Sequence, residues 1–124
     1  MSEKTAKAER KAESLVGFKV DVRSYMVPNP ASESGEMVEL SVKDNLVSIL
    51  FHTELKLGAE EMFKAKDLAD KIRASKDYVL LDKAEMERLK KSYAIVKGLP
   101  ERFIEFLSRI RDAEEVSLKE DAAA

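Results

Sequence analysis

The chain has 124 residues, with 22 basic and 24 acidic side chains, a formal net charge of −2 and 44% hydrophobic residues. This length and this apolar content favour one folded domain over a disordered chain. The near balance of charge gives no overall attraction to nucleic acid or to an anionic membrane. The chain has no cysteine and a single histidine, His52, which excludes disulfides, thiolate nucleophiles and metal sites built on several imidazoles.

Residues 1–14 mix Lys, Arg, Glu and Ala without an apolar face. This composition predicts a flexible arm ahead of the folded part, and it lacks the apolar stretch of a secretory signal peptide. The longest nearly apolar run, Leu46 to Phe51, is much shorter than the ~20 residues that a membrane-spanning helix needs. We therefore expect a cytoplasmic protein without a membrane segment.

Two segments near the N-terminus alternate apolar with polar residues, which is the pattern of a half-buried strand. The first covers residues 15–27 and ends at Pro28, and the second ends at residue 42. Their apolar positions are Phe18, Val20 and Val22 in the first segment and Val38, Leu40 and Val42 in the second. The simplest arrangement is an antiparallel hairpin over residues 15–42, which must pack on helices to be stable.

Residues 43–112 carry mainly helical patterns. The short segment from Leu46 to Phe51 fits a helix capped by Ser41 or Asp44, and its apolar, β-rich composition equally fits a strand. The clearest helix covers residues 59–75 because apolar side chains recur there at helical spacing. That face consists of Met62, Ala65, Leu68, Ala69 and Ile72.

The remaining elements follow a short apolar stretch from Tyr78 to Leu81, which fits a strand or an extended linker. Asp82 and Glu85 have the spacing of a capping box, so they predict the start of a helix that runs to about Lys97. Pro100 suits the first turn of a last helix. The apolar face of that helix consists of Phe103, Phe106, Leu107 and Ile110.

Taken in order, these elements predict an α+β fold that is mostly helical, with an antiparallel β-hairpin packed on three to four helices. The predicted globular domain covers residues 15–112, with the hairpin at 15–42 and the helices at 43–112. Residues 113–124 are rich in acidic residues and alanine, and we expect them to form a tail.

No constellation of residues predicts catalysis. Phosphate-binding glycine motifs and the nucleophile elbow are absent. His52 lies beside Glu54, but a lone imidazole has no further partner at ligand or relay spacing. The adjacent acidic pairs are typical of solvated helix faces. We expect no enzyme activity, no cofactor and no bound metal.

Four basic residues of the last two helices support one alternative function. Lys90, Lys91, Arg102 and Arg109 flank a short connection with the sequence KGLP, which resembles the turn of a helix-turn-helix. In this alternative the chain is a nucleic-acid-binding regulator. Acidic residues among these arginines and the acidic tail oppose it, because they repel phosphate.

Apolar side chains on the helices predict a protein interface instead. The last helix and the segment from Leu46 to Phe51 are apolar around much of their circumference, and a face left over from the core marks an interface. The candidate interface residues are Phe51, Phe103 and Phe106. The function we favour is non-enzymatic binding to another protein, or to further copies of the chain, in an assembly or regulatory role.

Three stretches, SVKDNLVSIL, LGAEEMFKAKDLADKI and VLLDKAEMERLKK, together resemble small proteins encoded by tailed bacteriophages and prophages. The resemblance covers about residues 35–91. It implies an accessory role in regulation or assembly, in the cytoplasm of the bacterial host. It implies no catalytic or binding residue.

Overall fold

The computed structural model describes residues 16–117. This part of the chain forms an α+β fold with four α-helices and two separate antiparallel sheets, which confirms the predicted fold class. The elements are β1 (Val16–Asp21), β2 (Tyr25–Pro28), β3 (Met37–Leu40), α1 (Val42–Leu50), α2 (Ala59–Ala74), β4 (Tyr78–Asp82), α3 (Lys83–Ile95), α4 (Ile104–Arg111) and β5 (Glu114–Ser117). Short 3-10 turns cover Thr53–Leu55 and Glu101–Phe103.

The first sheet has three strands in the order β4–β1–β5, and β1 is antiparallel to both neighbours. The second sheet is a hairpin of β2 and β3. β4 settles the open choice at residues 78–81 in favour of a strand. A strand that pairs on both edges is fixed by backbone hydrogen bonds on both sides, so β1 is the centre of the first sheet.

The prediction of one strand over residues 15–27 was wrong. The chain bends after Asp21, whose carboxylate accepts a hydrogen bond from the backbone N–H of Arg23 at 3.0 Å. Val22 donates its backbone N–H to the carbonyl of Asp77 at 2.9 Å, which ends the run alongside β4. Because an aspartate that bonds its own backbone favours a turn, β1 and β2 belong to different sheets. The predicted hairpin is therefore restricted to β2 and β3.

The predicted tail also needs correction, because β5 falls within it. β5 pairs with β1 in a register that places Glu114 opposite Lys19. Opposite charges at facing positions favour such pairing. The fold therefore continues past the predicted boundary at residue 112. The predicted N-terminal arm and residues 118–124 of the tail lie outside the described residues.

Capping residues account for two helix starts. Ser41 accepts a hydrogen bond from the N–H of Asp44 at 3.3 Å, so the segment that fitted helix or strand is the helix α1. The predicted capping box of α3 is confirmed, with Glu85 N–H to Asp82 at 2.8 Å and Asp82 N–H to Glu85 at 2.9 Å. α3 ends at Ile95, two residues before the predicted end.

The core gathers side chains from all four helices and from β1 to β4. Its fully buried members include Val20, Leu46, Ile72, Leu81, Leu89 and Phe106. Burying each large apolar side chain contributes about 1.5–3 kcal/mol. The predicted apolar face of α2 is buried except for Met62, which is 45% exposed. The core therefore fixes the three-stranded sheet and the helices, and it reaches the hairpin through buried Val27 and Leu40 and half-buried Tyr25.

Candidate functional site

The three predicted interface phenylalanines do not form a surface. Phe106 is 1% exposed and belongs to the core. Phe51 and Phe103 are half-buried and pack against that core, and Phe103 meets Phe106 edge to face with ring centroids 6.3 Å apart. The prediction was wrong for Phe106, because a helix of eight residues turns that side chain inward and leaves nothing for a partner to contact.

The four basic residues of the alternative function make different contacts. Arg109 is 14% exposed and pairs with Asp21 at 3.0 Å, so its charge is used within the fold. Lys90 donates to the backbone carbonyl of Arg111 at 3.1 Å. Arg102 lies over the ring of Phe103. Among these residues, the side chains of Lys91 and Arg102 have neither an ion pair nor a hydrogen bond in the described part of the chain, so two of the four cations remain for phosphate contacts.

Arg109 instead joins α4 to the bend between the two sheets. Besides its ion pair, it donates to the backbone carbonyls of Asp21 at 3.1 Å and Arg23 at 2.9 Å. Its guanidinium also lies 5.5 Å from the centre of the Tyr25 ring. Because an arginine fork is rigid and has several donors, these contacts fix the direction in which the chain enters β2.

The hydroxyl of Tyr25 makes the second connection. It donates to the carbonyl of Arg102 and accepts from the N–H of Phe106, both at 2.9 Å. Burial is the main reason that the pKa of Tyr25 is raised above its ordinary value. The hydrogen bond from Arg23 is the main reason that the pKa of Asp21 is lowered. We call Asp21, Arg23, Tyr25 and Arg109 the hairpin base.

Beyond this base, the hairpin shows apolar side chains to solvent. Met26 is 56% exposed and Met37 is 48% exposed. The register pairs Met26 with Glu39 and Pro28 with Met37, so all four lie on one face of the hairpin. We call Met26, Pro28, Met37 and Glu39 the outer face.

The opposite face of the hairpin turns toward the core. The register pairs Tyr25 with Leu40 and Val27 with Val38. Val27 and Leu40 are each 6% exposed, whereas Val38 is 37% exposed. The hairpin is therefore fixed near its base and open toward its loop.

The two edges of the hairpin differ in their free backbone groups. Asn29 donates its N–H to the carbonyl of Glu36 at 2.8 Å, and hydrogen-bonded pairs alternate along an antiparallel ladder. Val38 is therefore a hydrogen-bonded position, and Met37 and Glu39 direct their N–H and carbonyl groups to the outside. No strand between residues 16 and 117 pairs with that edge of β3.

The edge of β2 is protected differently. The same alternation directs the backbone of Met26 and Pro28 outward. Proline has no N–H, so Pro28 removes one of the donors that an added strand would use. Of the two hairpin edges, β3 alone offers a full set of outward donors and acceptors.

The charge of this region is one-sided. Between Ser24 and Val42 the acidic residues are Glu33 and Glu36 in the loop and Glu39 in β3. This segment contains no lysine or arginine. The two loop glutamates and Glu39 are exposed. The hairpin thus combines exposed methionines, an open strand edge and negative charge.

A surface cavity of about 320 Å³ lies beside the C-terminal ends of α1 and α3. Leu50, Leu57 and Ile95 contribute apolar walls, and Arg88 pairs with Glu61 at 2.6 Å beside them. This ion pair lowers the pKa of Glu61. Arg88 and Glu61 therefore neutralise each other in the wall of the cavity.

His52 has a local structural role. Its Nδ1 accepts a hydrogen bond from the N–H of Glu54 at 3.1 Å and so caps the 3-10 turn that follows. No group of acidic or histidine side chains within residues 16–117 is arranged to hold a metal ion.

The exposed methionines were missed in the sequence, although a signal was present for Met37. Val38, Leu40 and Val42 alternate, and the inner-face position of Leu40 is as this pattern predicts. Met37 and Glu39, which alternate with these residues, therefore had to face away from the core. Met26 carried no such signal, because the alternation of Val20 and Val22 would place it inward and only the bend after Asp21 turns it outward.

No protein-family model, curated protein or solved structure matches the chain. Within the described range, none of the helices combines the length and the apolar character needed to cross a membrane.

Proposed function

We propose that the chain is a non-enzymatic accessory protein in assembly or regulation, and that it binds a partner protein through the outer face of the hairpin. The observation that supports this most is the exposure of Met26 and Met37, 56% and 48% respectively, on a sheet with an open edge. Methionine is flexible and polarisable, and it adapts to a partner surface.

The hairpin base supports the same proposal. Arg109 and Tyr25 connect the end of β1, the bend and the start of β2 to α4 and the 3-10 turn before it, through five polar contacts. A surface held in place before binding loses less conformational freedom when the partner arrives. The hairpin is therefore suited to present its apolar side chains in a fixed orientation.

The resemblance to small phage and prophage proteins fits an accessory role, and we include that origin in the proposal. The use of Lys90 and Arg109 in contacts within the fold gives little support to nucleic-acid binding.

The test compares the tagged full-length protein with a double variant, Met26→Ser with Met37→Ser, in the cell that expresses it. A matched control, Met62→Ser with Phe63→Ser, removes two side chains that are 45% and 65% exposed on α2. We expect one stoichiometric protein partner with the natural chain and with the control, and its loss with the hairpin variant, in nuclease-treated extracts.

Two results would contradict the proposal. Retention of the partner by the hairpin variant would place the interface elsewhere. Loss of every partner after nuclease treatment of the natural chain would favour the nucleic-acid alternative. Thermal unfolding of each variant, measured in parallel, shows whether the substitutions left the fold intact.

A further inference from the structure

The strand edge and the charge of the hairpin together indicate what kind of partner segment it fits. We propose that β3 accepts an extended, basic segment of the partner protein as an added strand, with basic residues alternating with apolar ones. This inference rests on the proposed function, because it concerns the same hairpin.

The backbone geometry supports strand addition at β3. Met37 and Glu39 direct their N–H and carbonyl groups outward, as the hydrogen bond from Asn29 to Glu36 and the register require. Pro28 lacks this capacity on the edge of β2. An added strand would therefore continue the hairpin on the β3 side, where main-chain hydrogen bonds supply much of the affinity.

The side chains beside this edge favour a strand in which basic and apolar residues alternate. On the outer face, a lysine or arginine of the added strand would lie next to Glu39, and its aliphatic stem would cover Met37. On the inner face, the next residue would lie beside Val38, which is 37% exposed. Basic and apolar residues would therefore alternate along the added strand.

The charge of the region argues against a second copy of the chain as the occupant. Glu33, Glu36 and Glu39 are the only charged residues from Ser24 to Val42. Two β3 strands paired around Val38 would bring the two copies of Glu39 to diagonal neighbouring positions, where like charges repel. A basic segment neutralises the same charges, so electrostatic complementarity favours a different protein.

The test is a titration of the full-length protein, labelled with ¹⁵N and with ¹³C in the methionine methyl groups, with the acetylated peptide Lys-Val-Lys-Val-Lys-Val, followed by NMR. The matched control peptide has glutamate in place of each lysine. We expect the amide signals of Met37 and Glu39 to move downfield and their hydrogen exchange to slow. The amide of Val38, already bonded to β2, should change little.

The acidic peptide should bind at least about tenfold more weakly, since like charges face each other across the added pair. A third peptide with proline in place of the central lysine should lose the amide effects, because in an antiparallel added strand the residues opposite Met37 and Glu39 donate their N–H groups to β3 and proline has none. This peptide tests strand addition without any change to the protein.

Two variants of the protein measure separately what the β3 backbone and the charge of Glu39 contribute to peptide binding. Glu39→Gln keeps the outward N–H, so it should weaken the basic peptide a few-fold and retain the amide effects at Met37. Glu39→Pro removes that N–H without removing a bond to β2, so it should abolish binding. If Glu39→Pro does not fold, the proline-containing peptide gives the same information.

The outcomes distinguish this inference from the proposed function. Peptide-induced changes at the methyl groups of Met26 and Met37 without amide effects would overturn strand addition and leave the outer face as the interface. A twofold larger mass in sedimentation of the free protein, with Met37 and Glu39 already protected, would overturn the choice of partner. No binding of the basic peptide, while the partner is still captured through the methionines, would also overturn it.

Discussion

The two sheets of this protein use the same alternating pattern for different purposes. In the three-stranded sheet, β1 is paired on both edges, and Val20 and Leu81 are 0% exposed. In the hairpin, each strand has one paired edge, and Met26 and Met37 are about half exposed. The first sheet therefore holds the fold together, whereas the second exposes apolar side chains and an unpaired strand edge to solvent.

The bend at residues 22–24 makes this division possible. Arg109 binds Asp21 at the end of β1 and the carbonyl of Arg23 within the bend. Tyr25, the first residue of β2, bonds the segment that leads into α4. The displayed sheet is thereby attached to the structural one through polar contacts rather than through a shared strand edge.

The largest effect is expected from a substitution in the core that supports the first sheet. Phe106→Ala should lower the free energy of unfolding by about 3–5 kcal/mol because it removes a buried ring and leaves a cavity. Met37→Ala, on the outer face, should change it by no more than about 0.5 kcal/mol. Urea unfolding measures both, and equal effects would remove the distinction between the sheets.

A smaller effect is expected from the connection between the sheets. Arg109→Met should lower the free energy of unfolding by about 1.5–3 kcal/mol, because it removes charge-assisted hydrogen bonds to Asp21 and Arg23. The control Arg111→Met removes an arginine whose side chain is 65% exposed and paired with neighbouring Asp112. If the two variants unfold at the same urea concentration, Arg109 does not hold the hairpin.

Tyr25→Phe should cost about 1 kcal/mol, since it removes the hydroxyl that bonds Arg102 and Phe106. The pKa of Tyr25 is raised above its ordinary value of 10.0, chiefly by burial. In the unfolded chain the tyrosine therefore ionises first, and stability falls as the pH rises above 10. The variant should show a weaker fall over that alkaline range, as followed by urea unfolding at a series of pH values. An unchanged slope would contradict this role.

The smallest effect concerns Asp21, whose pKa is lowered from 3.8, first by the hydrogen bond from Arg23. The unfolded chain binds the proton more readily, so the contribution of the ionised carboxylate is present above pH 3.8 and is lost as the pH falls through the lower folded value. Asp21→Asn should cost about 1 kcal/mol or less at neutral pH. The difference between the natural chain and the variant should shrink on acidification. A constant difference from neutral to acidic pH would exclude this titration.

The sequence predicted the helical part of the fold well because its signals are local. The capping box at Asp82 and Glu85 and the periodicity of α2 need only neighbouring residues. The strand pairing depends on residues far apart in the chain. β1 pairs with strands that begin at Tyr78 and Glu114, and no local pattern carries that information.

The surface was harder to predict than the core. Phe106 and Met37 are both apolar, and although the alternation around Met37 signals its exposure, nothing local shows that Phe106 is buried rather than at an interface. Phe106 is buried because α4 packs on the rest of the fold and places it in the core, whereas β3 has no described strand neighbour beyond β2. The excess of acidic over basic residues in 24–42, by contrast, is visible in the sequence. Its position beside an open strand edge is seen only in the folded hairpin.

Amide hydrogen exchange of the free, full-length protein tests the division between the two sheets most directly. In β1, Phe18 and Lys19 are paired with strands on both sides, so both amides should exchange slowly. In β3, the amides of Met37 and Glu39 should exchange quickly and that of Val38 slowly. Equal protection of all three would show that the β3 edge is already covered, and it would contradict the hairpin as an open binding element.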